Sequence, residues 1–495
     1  MKAAKKKMGL VMVGWGMSKQ RLLQSACLTV GIITAPQIAS ALTLKEALAV
    51  TVEANPEIGQ AVENREAIEF ELRQARGLYL PSVDLEGSVG ARGLDNLSRR
   101  AIGIEDDPLY PTDIGVSVTQ KLFDGGGRRA ELERQASRVD GASFRILERS
   151  EAIGLQVVRE YLEFMLQAEI VAESRRNVSA HQKIANDIGS LIAGGTLTEA
   201  DRLQAQERLL AANARLEEAT EEIEAARIRF YKLVGKPLTD PQMPASVLSR
   251  LPDSLDQAIG IARQNNPRIH VANADIDAAD SQVDAARSSY FPEVFAEGRA
   301  KVGNDIDGSI GRTNDFEARL VARWNLYRGG IDVANEQEQI RRASEQRLVL
   351  HQMYREVEEA VRISWDRRIK QADLAQTFRA QANANAGLVS SYQEQMVVGQ
   401  RSLLDVLGAQ NTRYNVNVLA KTSQYASRFA EYRILAATGQ LLSTFNLEGP
   451  KQSKAYARTE FDVPETAPTE TYRRLPTRQT NELPLDLLAP IRKKN

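Results

Sequence analysis

The sequence predicts a mainly α-helical fold carrying a pair of β-hairpins and built from two internal repeats. Three observations predict it. Prolines are absent between Pro111 and Pro237 and again between Pro292 and Pro450; since proline breaks a helix interior, such gaps permit very long helices. "LYLPSVDLEGSVGAR" (78–92) and "SYFPEVFAEGRAKV" (289–302) each place a strict apolar/polar alternation behind a Tyr-x-Pro, the period of a strand with one dry face. Finally, "TLKEALAVTVEANPEIGQA" from Thr43 recurs as "SLDQAIGIARQNNPRIHVA" from Ser254, with Asn55-Pro56 on Asn266-Pro267, and self-similarity at one spacing marks a repeated unit.

Residues 1–41 stand apart. They hold six basic residues and no acidic one, an apolar run from Ala26 to Ala35, and Ala39-Ser40-Ala41, the pattern of a cleaved secretory signal. The apolar run is shorter than the roughly 20 residues that span a bilayer. Cys27, the only cysteine, lies in this leader, so the mature chain carries no thiol, as suits an oxidising compartment. Gln24 occupies the place where lipoprotein signals want an aliphatic residue, which argues against lipidation of Cys27. The whole chain balances 64 Lys and Arg against 65 Asp and Glu, which excludes a nucleic-acid-binding polycation.

Repeat 1 covers 42–240, with helices over 43–80, strands over 83–92 and 113–122, and a helical hairpin over 127–234. A proline-rich linker, 241–253, separates it from repeat 2, 254–445, with helices over 254–290, strands over 293–302 and 316–326, and a hairpin over 330–438. The tail, 446–495, has six prolines and little periodicity, and reads as disordered. The first long helix should run from Gly127 to Gly194-Gly195, about 100 Å at 1.5 Å per residue. Its partner starts at Thr198 and is much shorter; stacking the segment 56–79 on its end would nearly restore equal length. Two apolar stripes on the long helix, one through Ile153, Val157 and Phe164 and one through Leu155, Val158 and Leu162, imply neighbours on both sides, as in a ring of helices.

All four strands pair a dry face with a charged one, as in Val83, Leu85, Val89 against Asp84, Glu86, Arg92. Their length fits the roughly 9 to 11 residues of a tilted membrane-crossing strand. A soluble sheet packed on helices shows the same alternation, yet the chain is exported and its charged faces carry both signs. Four strands cannot close a barrel, and open edges are not tolerated in lipid. Strands must then be pooled, eight from a dimer or twelve from a trimer, and the larger barrel leaves a water-filled lumen.

These features resemble the TolC family of outer-membrane efflux and secretion channels. The likeness covers residues 43–445 and rests on the doubled Asn-Pro helix starts, the Tyr-x-Pro strand starts, "LFDGG" and "LYRGG" at the strand exits, and the tips "GTLTEADRLQAQ" and "VGQRSLLDVLGAQ". It implies a homotrimer with a long periplasmic α-helical barrel and a twelve-stranded transmembrane β-barrel in the outer membrane of a Gram-negative bacterium. It further implies docking to a periplasmic adaptor and an inner-membrane pump, an ABC transporter or a proton-driven exporter. The family's periplasmic gate maps onto Arg401, Asp405 and Asp201. Met396 stands where the family has a gate tyrosine and Gly408 where it has a second aspartate, which leaves three aperture carboxylates per trimer rather than six. Gly195, Leu197, Gly399 and Leu403 mark the tips expected to meet the adaptor. Independently of the family, Asp201 and Asp405 both fall in a first helical turn, where the helix dipole favours a carboxylate. Threefold symmetry would bring the three Asp405 copies near the axis as a cation-attracting constriction.

No catalytic, cofactor or metal site is expected. His181, His270 and His351 have no second histidine within ligand spacing, and no H-E-x-x-H, G-x-S-x-G or Walker A motif occurs. The functional expectation is a passive exit duct of a type I secretion or efflux system, closer to the type I subgroup. The outlet of a proton-driven small-molecule pump is the alternative, and a soluble periplasmic coiled-coil scaffold a further one.

Overall fold

The computed structural model describes residues 42–465 apart from 196; the expected secretory leader with Cys27, and residues 466–495, lie outside the described residues. The first repeat runs α1 (Leu44–Ala54), α2 (Pro56–Gly77), β1 (Ser82–Val89), α3 (Leu97–Ala101), β2 (Thr112–Phe123), α4 (Gly127–Ala193) and α5 (Glu199–Val234). The second runs α6 (Leu255–Asn265), α7 (Pro267–Ser288), β3 (Glu293–Asn304), β4 (Arg312–Arg323), α8 (Ile331–Val397) and α9 (Leu403–Ala437), followed by the short α10 (Leu441–Thr444) and α11 (Ala457–Glu460). The one-turn α3, inside a stretch that reads as loop, has no counterpart in the second repeat.

Local chemistry sets the helix ends. Thr43 and Glu46 cap α1 reciprocally: the Glu46 N–H donates to Thr43 Oγ1 at 3.3 Å and the Thr43 N–H to Glu46 Oε2 at 2.9 Å. Asn55 then works in two directions. Its Oδ1 accepts the Glu57 N–H at 2.9 Å, capping α2, while its Nδ2 donates to the Leu233 carbonyl at 3.0 Å, in the last turn of α5. Asn266 repeats the device, accepting from the Arg268 N–H at 3.0 Å and donating to the Ala437 carbonyl at 2.9 Å. One amide thus joins the end of a 36-residue helix to the start of a 22-residue helix, and the stack runs beside the 67-residue α4. The length deficit of the return helix is made up this way.

The four strands form one antiparallel sheet in the order β1-β2-β3-β4, so β1 and β4 are its edges. Strand limits differ from the alternation reading. Arg92 lies beyond β1 and keeps only an isolated bridge to Leu109. Trp324 and Leu326 lie past β4, which begins four residues earlier than alternation suggests; the Trp324 indole N–H instead donates to the Tyr290 carbonyl at 3.1 Å.

The largest core cluster gathers Leu48, Val157, Tyr161, Phe230, Tyr432 and Leu441 from α1, α4, α5, α9 and α10. Its rim is sewn by buried polar groups. Glu151 of α4 accepts the N–H groups of Leu441 and Leu442, each at 3.1 Å. Glu431 accepts the Val247 N–H at 3.1 Å, and the Tyr432 hydroxyl donates to the Ala245 carbonyl at 2.9 Å, so the inter-repeat linker is seated.

The tail requires a correction. Composition assigns 446–495 to disorder, but residues 446–465 pack on the helices. Asp140 of α4 accepts the N–H groups of Tyr456, Ala457 and Arg458 at 2.9, 2.8 and 3.1 Å, and Ala457 and Val463 join a core cluster with Ile68, Leu72 and Val139. The partner that orders this segment sits more than three hundred residues away, where tail composition cannot reveal it.

Candidate functional site: the open sheet and the helical tips

The sheet keeps one register across all four strands up to Lys121, where β2 slips against β3. Leu85, Val116, Ala300 and Phe316 form one transverse row, and Val83, Val118, Gly298 and Ala318 the next. On the opposite side Asp84, Ser117, Arg299 and Glu317 are aligned, as are Glu86, Gly115, Lys301 and Asp315. Apolar and polar residues therefore occupy separate faces over the middle of the sheet, while near its helical end Phe295 and Val321 lie among the charges, with Lys121 and Arg323 over the Phe295 ring.

Burial is inverted relative to a water-soluble sheet. Along β2, Ile114, Val116 and Val118 are exposed while Asp113, Ser117 and Thr119 between them are half-buried. Leu85 is 70% exposed and Phe316 76%. Charges on the other face hold one another: Glu297 lies 2.8 Å from Arg319 and 2.9 Å from Arg323, Lys301 lies 3.2 Å from Asp113, and Lys121 lies 2.8 Å from Glu293. An apolar face this broad, set back to back with a satisfied charged face, suits hydrocarbon outside and water inside. Among the described residues no helix is long and apolar enough to cross a membrane; the sheet is the element built for one.

At the other end lie the tips of the two hairpins, α4–α5 and α8–α9. Gly195 and Gly399 both take left-handed backbone, φ +77° and +75°, which glycine adopts without a Cβ penalty. The next helices start alike. The Thr198 N–H and hydroxyl donate to Asp201 Oδ2 at 2.8 and 2.7 Å, and the Ser402 hydroxyl donates to Asp405 Oδ2 at 2.9 Å. Asp201 and Asp405 are thus both cap residues at the third helical position, the local role their place in a first turn implies.

A shared apolar core locks the two tips side by side. Ile184, Ile188, Ala205, Met396, Leu403 and Val406 form it, with Leu197 packed against it. Met396 is 6% exposed and Leu403 1%. Met396 is therefore packed inside the tip core, and Leu403 presents no side chain to a partner. The apolar groups exposed beside it are Val397, Val398 and Leu404. Arg401 is held within its own hairpin: its guanidinium lies 4.4 Å from the Tyr392 ring centroid, its Nε donates to Gln395 at 3.2 Å, and Asp405 stands 3.9 Å away. Asp201 contacts none of these groups. Tyr392 escaped the sequence reading; it lies four residues before Met396, on the stripe that faces the tip core.

The histidines do not converge. His270 stacks on Phe144 with ring centroids 5.0 Å apart, and among the described residues no group of three or more His, Cys, Asp and Glu is placed to hold a metal.

An open, outward-greasy sheet continuous with helical hairpins about 100 Å long defines a subunit of a membrane channel. The model of the outer membrane efflux protein family matches residues 48–236 and 258–440, once per repeat, and the chain belongs to that family. It is 25% identical over 434 residues to the outer membrane efflux protein BepC of Brucella suis, covering 85% of this chain and 91% of BepC. It is 21% identical to the proteases secretion protein PrtF of Dickeya chrysanthemi, over 79% of this chain and 87% of PrtF. Its fold matches the Campylobacter jejuni CmeC outer membrane channel with a TM-score of 0.68 at 16% identity, covering 80% and 86% of the two chains. The chain is an outer-membrane channel protein of the TolC type, whose helices extend into the periplasm.

Proposed function

We propose that three copies join edge to edge, β4 of one against β1 of the next, to close a twelve-stranded barrel over a ring of helices. The observation that carries this reading is the inverted sheet with two free edges. In lipid each unpaired backbone group costs several kcal/mol, and among the described residues no strand lies against the outer edge of β1 or of β4. Pooling three sheets satisfies both edges and encloses the charged face around water.

The assembly acts as a passive duct. It docks by its hairpin tips, around Gly195, Leu197 and Gly399 and the exposed Val398 and Leu404, on a periplasmic adaptor. An inner-membrane pump supplies the energy, and Asp405 with Arg401 controls the periplasmic aperture. Kinship with a proteases secretion protein favours export of polypeptides through an ABC-type system. The efflux name of BepC favours the second reading, the outlet of a proton-driven small-molecule exporter. Affinity capture of the native complex, followed by identification of the pump, decides between them. Planar-bilayer recording tests the duct itself: a steady ohmic current without nucleotide is expected, and membranes that stay silent at all protein concentrations overturn it.

A further inference from the structure

A buried histidine sits where the seam between the two hairpins changes character. Toward the sheet, α4 and α9 are joined by hydrogen bonds: the Asn417 amide donates to Glu173 at 2.6 Å, the Ser174 and Tyr414 hydroxyls share a bond of 3.0 Å, and the Gln410 amide donates to Asn177 at 3.2 Å. Toward the tips they meet through the apolar core that contains Ile184, Val406 and Leu407. His181 lies one turn past Asn177 and one turn before Ile184, on the same face of α4. Its side chain is 3% exposed, and its Nδ1 has no hydrogen-bond partner among the described residues.

The charges that face this ring come from α5. Ala212 is buried in the seam, with Arg208 and Arg215 one turn to either side of it and Glu207 beside Arg208. Glu207 pairs with Arg208 at 3.3 Å, while Arg215 bonds Asn411 and lies 5.5 Å from the Tyr414 ring centroid. At this level α9 brings the neutral Gln410, Asn411 and Tyr414. On α4 itself the residues one turn away, Asn177, Val178, Ile184 and Ala185, carry no charge. Burial holds the His181 imidazole below the ordinary histidine value of 6.5, and Arg208 and Arg215 push it the same way, with Glu207 opposing them. The packed tip therefore favours the neutral ring. Its stability is fully present above the ordinary value and is lost as pH falls through and below it.

We infer that His181 is an acid-sensitive latch: with the ring neutral, α4, α5 and α9 close over it, and a proton on the ring parts the tips and opens the periplasmic end of the duct. This rests on the duct proposed above and adds a condition that operates it. A proton placed there creates a cation without water beside two like charges, and parting the helices relieves both costs by letting water in. The hydrogen-bonded rungs from Asn177 upward stay made, so the movement is confined to the tips below them. Histidine is the side chain whose ordinary titration falls between about pH 5 and 8, so modest acidity is enough to work the latch.

Single-channel recording of the full mature protein in planar bilayers tests it. The open fraction of the wild type should rise by about threefold or more from about pH 7.5 to about pH 5.5. His181→Gln, which keeps a polar side chain but cannot take the proton, should stay at the low value throughout. Arg208→Gln removes one of the two cations and should move the rise to lower pH. Other titrating groups are common to all three proteins, so the differences between them isolate the ring. A wild-type current that ignores pH overturns the latch and leaves the duct intact, as does an H181Q that answers acid as the wild type does. Where H181Q is open throughout or fails to fold, an R208Q that keeps the wild-type midpoint overturns it. A wild-type protein that passes no current at either pH overturns the duct and the latch with it.

Discussion

The Arg458 guanidinium lies 2.7 Å from Asp277 Oδ2 through Nη1 and 3.1 Å from Asp140 Oδ2 through Nε, with all three side chains buried. A residue of the C-terminal segment thus ties α4 of the first repeat to α7 of the second. Breaking a buried pair by removing one partner costs about 3–5 kcal/mol, because it strands the remaining charges. Arg458→Met should lower the thermal midpoint and expose the segment after Gly449 to protease, while the oligomer persists. Limited proteolysis with mass readout checks this.

Glu151 gives a pH dependence. Burial pushes its carboxyl up to about 7, against two backbone N–H donors that pull it down. Its folded pKa is therefore above its unfolded one. Between about pH 4.5 and 7 the folded form binds the extra proton, so stability falls as pH rises through that window and levels off above it. Glu151→Gln should abolish this slope. The midpoint of the variant, compared with wild type by calorimetry, should gain by several degrees between pH 5 and pH 8.

The two faces of β2 give a contrast within two adjacent residues. Val116→Arg sets a cation on the apolar face near mid-strand, where an arginine at bilayer depth costs about 2–4 kcal/mol. Ser117→Arg sets the same cation on the polar face. Folding into lipid vesicles, followed by gel mobility, should fail or slow for V116R and proceed for S117R. Equal behaviour would contradict the assignment of faces.

At the tip, Asp405→Asn keeps an acceptor for the cap but removes a charge. Cation selectivity of single-channel currents should drop, with the thermal midpoint shifted little. Unchanged selectivity removes Asp405 from the conduction path and leaves it as a helix cap. Tyr392→Leu should loosen Arg401, raising the open fraction at rest.

Much of this molecule was legible in the sequence because its instructions are local. Glycines at the tips, Asn-Pro at helix starts and two-residue alternation in the strands each act within a few positions. What stayed hidden depends on distant partners. Asn55 announces a cap, but nothing near it announces the Leu233 carbonyl, 178 residues on. Met396 stands where the family has a gate tyrosine, yet its burial follows from how the two tips pack together. Leu403 reads as an exposed tip residue until the tip core is assembled around it. Residues 446–465 are held by contacts such as those of Asp140, so their own composition is a poor guide.

The most direct test concerns the number of copies. Native mass spectrometry of the detergent-extracted mature protein should give three chains, released intact from micelles and stable to dilution. A particle of one chain that stays dispersed in plain buffer and ignores lipid vesicles would contradict the account at its root.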